Sequence, residues 1–100
     1  MQYVTSSPWI HKQQTGLLLT VQTTKAFGAA VRLLREKSGI SQENLAERAD
    51  LDRTYVSGVE RGVRNPTLRI IEKLAVALGV SSVKLFEEAA RIQKKSSTKG

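Results

Sequence analysis

Residues 41–65 constrain the fold of this chain more than any other stretch of the sequence. They read SQENLAERADLDRTYVSGVERGVRN. Apolar residues recur at helical spacing on both sides of a short polar break, which predicts one helix over Gln42–Ala49 and a second over about Arg53–Arg61. The break, residues 50–52, is too short for antiparallel helices, so the two helices must cross steeply. A steep crossing of this kind presents the second helix to the outside of the domain.

The second of these helices has one apolar and one polar face. At about 100° per residue, Val56 and Val59 fall on one side. The other side carries hydrogen-bonding groups and no large aliphatic residue: Thr54, Ser57, Gly58 and Arg61, flanked by Arg53 and Tyr55. Such a face suits the base edges of a DNA major groove better than a protein core. We also expect Gly58, which lacks a side chain, to let the helix come close to the duplex.

A set of residues spread over this stretch has the pattern of a known family. Its members are Gln42, Leu45, Ala46, Ala49, Leu51, Val56, Val59 and the exit Glu60-Arg61-Gly62. They resemble the helix-turn-helix family of phage repressors and Cro, over about residues 25–80. The string LDRTYVSGVERGVRNPT is similar, more narrowly, to the controller proteins of restriction–modification systems. One departure is Asp50, where the family usually has glycine; the turn needs a residue that tolerates the left-handed region, and Asp does so at some cost.

The resemblance implies both a fold and a function. The fold is an all-α, five-helix, repressor-like DNA-binding bundle with a helix-turn-helix, preceded by an N-terminal extension. The function is that of a sequence-specific transcriptional regulator, a homodimer that binds double-stranded DNA at a two-fold symmetric operator with helix 53–61 in the major groove. Three contexts stay open: a restriction–modification controller, a phage-type repressor, and an antitoxin that binds a partner protein through its N-terminal arm.

Within that function, the residues divide into those that read bases and those that hold phosphates. The expected base-reading residues are Arg53, Thr54, Tyr55 and Ser57. The expected phosphate-binding residues are Gln42, Arg61, Arg64, Asn65 and Thr67. Gln42 follows the N-cap Ser41, so its amide lies beside unpaired backbone N–H groups that attract an anion. Arg35 and Glu60 fall on core-facing flanks of their helices, and the resemblance implies that they form a partly buried, half-exposed ion pair that fixes the angle of the reading helix.

The composition agrees with a small nucleic-acid-binding domain. The chain has 100 residues, 16 of them basic and nine acidic, with a formal net charge of +7. This length fits one domain, and the basic balance fits a polyanionic partner. There is no cysteine, the one histidine (His11) has no metal-ligating neighbours, and no phosphate loop or nucleophile–base pair can be assembled. We therefore expect no enzyme activity, no cofactor and no metal. No apolar run reaches the roughly 20 residues of a membrane span, so a cytoplasmic protein is expected.

The composition also changes along the chain, which divides it into three parts. Residues 1–23 hold few basic residues and are expected to be an N-terminal arm. The arm is either flexible and loosely docked, or a strand or helix packed on the domain or on a dimer partner, with residues 16–21 as its one strand-like piece. Residues 24–94 are expected to form the DNA-binding domain with its C-terminal dimerisation helix. Residues 95–100 are expected to be a basic, disordered tail.

Three further helices follow from caps and apolar spacing. The first is predicted to begin after Thr23 and Thr24 and to end near Gly39. The fourth is predicted over Thr67–Leu78, and the fifth over Ser82–Lys94. The stripe of the fourth that we expect to face the core is Leu68, Ile71, Leu74, Ala75 and Leu78. The fifth carries two adjacent apolar strips, which is too wide for one small core. We expect one strip to face the core, namely Val83, Phe86 and Ala90. We expect the other to form the dimer interface, namely Leu85, Ala89 and Ile92.

Overall fold

A computed structural model of the chain describes the backbone of residues 13–99 and the side chains of residues 22–95. Within residues 13–99 the elements are five helices: α1 (Gln13–Lys37), α2 (Gln42–Ala49), α3 (Arg53–Glu60), α4 (Leu68–Leu78) and α5 (Ser82–Lys99). No strand occurs within residues 13–99. The predicted all-α, five-helix class is therefore confirmed.

Local capping explains where α2 begins and ends. Ser41 accepts a hydrogen bond from the backbone N–H of Asn44 at 3.0 Å, which satisfies one of the unpaired donors of the first turn. Asp50 ends the helix with φ 58° and ψ 50°, in the left-handed region that the sequence analysis expected of it. Its backbone N–H donates to the carbonyl of Glu47. The turn into α3 is thus closed without the usual glycine.

The first helix begins earlier than the sequence predicted. α1 starts at Gln13 and runs through Thr23 and Thr24, so the predicted helix start after these threonines is wrong. Residues 16–21, which looked strand-like, are helical. α1 and α5 pack along each other, and the hydroxyl of Thr23 donates to Gln93 Oε1 at 3.3 Å, so the predicted start lies inside a helix that is in tertiary contact. Packing of this kind can override a weak local preference.

The last helix also continues beyond its predicted end at Lys94, to Lys99. The expected disordered tail is therefore helical up to that residue. The wider division into arm, domain and tail stays a prediction, because the calls on residues 1–12 and on Gly100 lie outside the described residues. Within the described part, none of the helices is both long and apolar enough to cross a membrane.

All five helices contribute side chains to a single core. Its fully buried large side chains are Val31, Leu45, Val56, Val59, Leu74 and Leu85. Leu68, which we expected to face the core, is 77% exposed. The apolar stripe of α4 begins instead at Ile71, because residue 68 is the first of the helix and lies at its outer end.

The two apolar strips of α5 are exchanged relative to the prediction. Leu85 and Ala89 are 0% and 5% exposed and belong to the core, and Ile92 packs against it, so these residues do not form a free dimer surface. Val83 and Phe86, predicted to be internal, are 63% and 45% exposed. Ala90, which shared their predicted strip, is exposed as well. The strips are neighbours on one helix, and only the packing of α5 against α1 and α4 decides which of them faces inwards.

Candidate nucleic-acid interface

The orientation of α3 is fixed by a buried ion pair to α1. Arg35 Nε donates to Glu60 Oε2 at 2.6 Å, and Arg35 Nη2 donates to Glu60 Oε1 at 3.0 Å. The two side chains are 11% and 2% exposed, so the pair is more deeply buried than the half-exposed pair the sequence suggested. The hydrogen bond to Glu60 is also the main reason why the pKa of Arg35 is raised. Arg35 Nη1 donates to the carbonyl of Ile40, which satisfies a further donor.

Gln42 joins this pair from α2. Its Nε2 donates to Glu60 Oε1 at 3.0 Å, so one carboxylate connects α1, α2 and α3. An amide NH₂ group carries two N–H donors. The bond to Glu60 therefore leaves Gln42 a second donor for a phosphate. The same bond aims the amide by tying it to the end of the reading helix.

The start of α3 is capped by Asp52, a residue that the sequence analysis did not single out. One carboxylate oxygen of Asp52 accepts from the Thr54 backbone N–H at 2.8 Å and from the Thr54 hydroxyl at 2.5 Å. The hydroxyl bond is the first reason why the pKa of Asp52 is lowered. Because the Thr54 hydroxyl donates its hydrogen to Asp52, its oxygen is left to accept a hydrogen bond from a further partner. An Asp directly before the apolar spacing of α3 is the signal that would have indicated this cap.

Arg64 and Tyr55, which we assigned to different roles, are in contact. The guanidinium carbon of Arg64 lies 5.5 Å from the centre of the Tyr55 ring, within the range of a cation–π interaction. The stem of Arg64 crosses α3 at Gly58, which is buried. The space beside Gly58, which we expected to be left for the duplex, is filled by the Arg64 side chain in this structure.

The remaining site residues lie on the surface. Arg53, Arg61 and Asn65 are exposed, and Arg61 Nε donates to Ser57 Oγ at 3.4 Å. Thr67 caps α4 by accepting from the backbone N–H of Ile70 at 3.3 Å. Its hydroxyl hydrogen is left for a phosphate at the start of that helix.

The charges that the surface around α3 presents to solvent differ from the charges counted in the sequence. Residues 53–69 contain four arginines and one acidic residue, Glu60. Glu60 is buried and paired with Arg35, so its charge is not presented to solvent. All four arginines, by contrast, are exposed. With the exposed Asp52 at the start of α3 included, the exposed charges of residues 52–69 are four positive and one negative, an excess of positive charge that suits a phosphate backbone.

Comparison with known proteins agrees with this geometry. The profile of the helix-turn-helix family matches residues 31–85, more than half of the chain. The chain belongs to the helix-turn-helix family. Control protein C.BamHI from Bacillus amyloliquefaciens is 52% identical over 62 residues, which cover 61% of this chain and 76% of that protein.

Solved structures of restriction–modification controller proteins are also similar to this helix-turn-helix chain. The controller C.AhdI from Aeromonas hydrophila is 50% identical and has a TM-score of 0.61, covering 62% of this chain and 94% of that one. The controller C.Esp1396I, solved as a tetramer in complex with its natural 35 base-pair operator, is 35% identical with a TM-score of 0.67. That match covers 71% of this chain and 93% of the controller. These relatives are regulators, so family membership supports the expectation that the chain is not an enzyme.

Proposed function

We propose that this chain is a sequence-specific DNA-binding regulator of transcription, with α3 as the helix that enters the major groove. The observation that carries the proposal is the polar, arginine-rich face of α3, held at a fixed angle by the buried Arg35–Glu60 pair. A helix that reads base edges has to be rigidly aimed, because hydrogen bonds to bases tolerate little displacement. The tetramer of C.Esp1396I on its operator supports the same use of the fold.

The contacts divide by the position of each residue on this face. Arg53, Thr54, Tyr55 and Ser57 are proposed to read bases. Gln42, Arg61, Arg64, Asn65 and Thr67 are proposed to hold phosphates. Phosphate contacts set the register on the duplex, and base contacts select the sequence. The bonds of Gln42 to Glu60 and of Thr67 to the α4 N-terminus aim both side chains before DNA is bound.

The active form is proposed to be a homodimer on a two-fold symmetric operator. Leu85 and Ala89 are in the core, so the pairing surface is instead the exposed apolar side of α5, at Val83 and Phe86. A second copy is the occupant that fits, because C.Esp1396I assembles with copies of itself on its operator. Two reading helices on one side of the DNA then require half-sites about one helical turn, ~34 Å, apart.

Selection of bound sites from a random oligonucleotide pool tests this function directly. The expected result is one enriched sequence with two-fold symmetry, bound by a dimer in sedimentation. An enriched sequence without two-fold symmetry would contradict the proposed dimer geometry but would still support sequence-specific DNA binding. A pool that shows no enrichment over many rounds would contradict sequence-specific binding.

Among the possible contexts, we propose a restriction–modification controller. The identities of 52% to C.BamHI and 50% to C.AhdI support this choice over a phage-type repressor or an antitoxin. A partner protein bound through the N-terminal arm stays a prediction, since no contact of the described residues supports it. A pull-down with the arm, residues 1–23, deleted separates the two: an antitoxin would lose its protein partner and keep operator binding.

Base reading and phosphate binding should be separable at two arginines. Arg53→Ala is expected to cost about 1–3 kcal/mol on the selected operator, with little change on scrambled duplex, because an arginine fork matches guanine O6 and N7. Arg64→Ala is expected to weaken binding to both duplexes and to lower the salt-dependence slope by about one unit, since it removes one phosphate contact. Titration of both variants against both duplexes at several salt concentrations measures this.

Arg69→Ala is the matched control, because Arg69 is exposed but is not among the proposed contact residues. It should change operator affinity less than either variant. If Arg53→Ala weakens both duplexes equally, Arg53 holds a phosphate and base reading belongs to Thr54, Tyr55 and Ser57.

A further inference from the structure

The side chain of Arg64 lies in a small recess on α3. We call this recess the seat; it is formed by Gly58 and Tyr55. The floor of the seat is Gly58. A Cβ built on Gly58 would lie 2.6 Å from Cγ of Arg64 and 3.4 Å from its Nε. Real Cβ atoms do not approach another carbon as closely as the first of these distances. The arginine stem therefore occupies the volume that any larger residue at position 58 would fill.

The backbone of the loop after α3 is tied to the same glycine. The carbonyl oxygen of Gly58 accepts from the N–H of Val63 at 2.9 Å and from the N–H of Arg64 at 3.2 Å. Gly62, with φ 77°, turns the chain back so that both donors reach it. Both the main chain and the side chain of Arg64 are thus placed by contacts with Gly58.

The far end of the side chain is held by Tyr55, whose ring lies 5.5 Å from the guanidinium carbon. Arg64 as a whole remains exposed. A long arginine side chain otherwise samples many rotamers and loses that freedom when it binds. Contacts at stem and head restrict it before DNA arrives, which reduces the entropic cost of the contact it makes there.

We propose that Gly58 is a positioning residue for DNA binding, because the side chain that it lacks makes the seat holding Arg64 against Tyr55. This inference rests on the proposed function and adds to it how one of its phosphate contacts is aimed. Alanine is favoured over glycine in the interior of a helix. Helix stability alone therefore does not explain glycine at position 58, whereas the space needed by Arg64 does.

The seat can be tested in the free protein. In the wild-type chain, NMR should show the Arg64 Hδ protons shifted upfield by the Tyr55 ring, with cross-relaxation between the Arg64 stem and Gly58 Hα. In Gly58→Ala both signals should be lost, while the unfolding midpoint stays at or above that of the wild type. A wild-type spectrum with neither signal overturns the proposal, and this measurement is valid even if the variant does not fold.

Binding measurements then test the positioning role. Gly58→Ala is expected to bind the operator about threefold to tenfold more weakly than the wild type, a loss of up to one factor of ten in Kd. Its salt-dependence slope should fall towards that of Arg64→Ala. In the Arg64→Ala background, Gly58→Ala should have no further effect, because the side chain that it displaces is already absent.

Two outcomes separate this inference from the function on which it rests. If operator binding is intact but the effects of Gly58→Ala and Arg64→Ala add fully, Gly58 does not act through Arg64 and the positioning role is overturned. If the wild-type chain selects no DNA site at all, the proposed function fails and the positioning role with it. In that second case the NMR contacts would still show whether the seat exists.

Discussion

Glu60→Ala is expected to lower the free energy of unfolding by about 3–5 kcal/mol, the range for removing one partner of a buried ion pair. The Glu60 side chain is 2% exposed, and it accepts both hydrogen bonds of the Arg35 fork. Without it, Arg35 is left with a buried charge, and among the described residues the Ile40 carbonyl is its remaining hydrogen-bond acceptor. The Gln42 amide loses its acceptor as well. Chemical denaturation of the variant and the wild type measures the difference.

A surface ion pair on α1 provides the matched control. Arg32 Nε and Glu36 Oε2 are 3.1 Å apart at i, i+4, and their side chains are 63% and 53% exposed. Glu36→Ala should therefore change stability by no more than about 0.5 kcal/mol, because water screens exposed pairs. If Glu36→Ala and Glu60→Ala lower the free energy of unfolding equally, burial does not determine how much an ion pair contributes to stability.

A double variant separates the loss of the attraction between Arg35 and Glu60 from the cost of leaving Arg35 buried without its partner. In Arg35→Met/Glu60→Leu both charges are absent, and replacing a buried pair by apolar residues is often close to neutral. This variant should recover most of the stability that Glu60→Ala loses. It should still bind the operator less well than the wild type, since the Gln42 amide and the angle of α3 would no longer be fixed by Glu60. Full recovery of binding would mean that the pair only stabilises the fold.

The helix-turn-helix was predictable because its signals are local. Ser41 and Thr67 cap helices through bonds to backbone groups three residues away, and such bonds depend on neighbours in sequence. Asp50 adopts the left-handed conformation for the same reason, since the turn demands it whatever packs nearby. The pairing of Arg35 with Glu60 required the resemblance as well, because it joins residues 25 positions apart.

Other features depend on tertiary packing and could not be obtained from spacing alone. The inward strip of α5 is decided by how the helix rotates against α1 and α4, and two adjacent apolar strips give the sequence no means of choosing. The Thr23–Gln93 contact of α1 with α5 is hidden in the same way, because it joins residues 70 positions apart. The sequence also does not predict which element a long side chain packs against. Nothing in it shows that the side chain of Arg64 crosses α3 at Gly58.

Gly28→Ala is expected to lower the free energy of unfolding by about 3 kcal/mol, the upper end of the usual cost of overpacking a core. Gly28 lies where α1 crosses the end of α3. A Cβ built on it would lie 2.1 Å from the carbonyl oxygen of Val59 and 2.8 Å from that of Glu60. These are backbone atoms, so no rotamer change can relieve the contact. The helices have to separate, and the separation would also pull apart the Arg35–Glu60 pair.

Gly58→Ala is the matched comparison, because both glycines are interior to a helix and both are crowded. At Gly58 the neighbour is the flexible stem of Arg64, which can swing away into solvent. Alanine there should therefore keep or raise stability while weakening operator binding, whereas at Gly28 it should lower both. Thermal unfolding and operator titration of the two variants distinguish these patterns. A Gly28→Ala protein as stable as the wild type would mean that α1 and α3 can move apart at little cost, and the angle of the reading helix would then not be rigidly set.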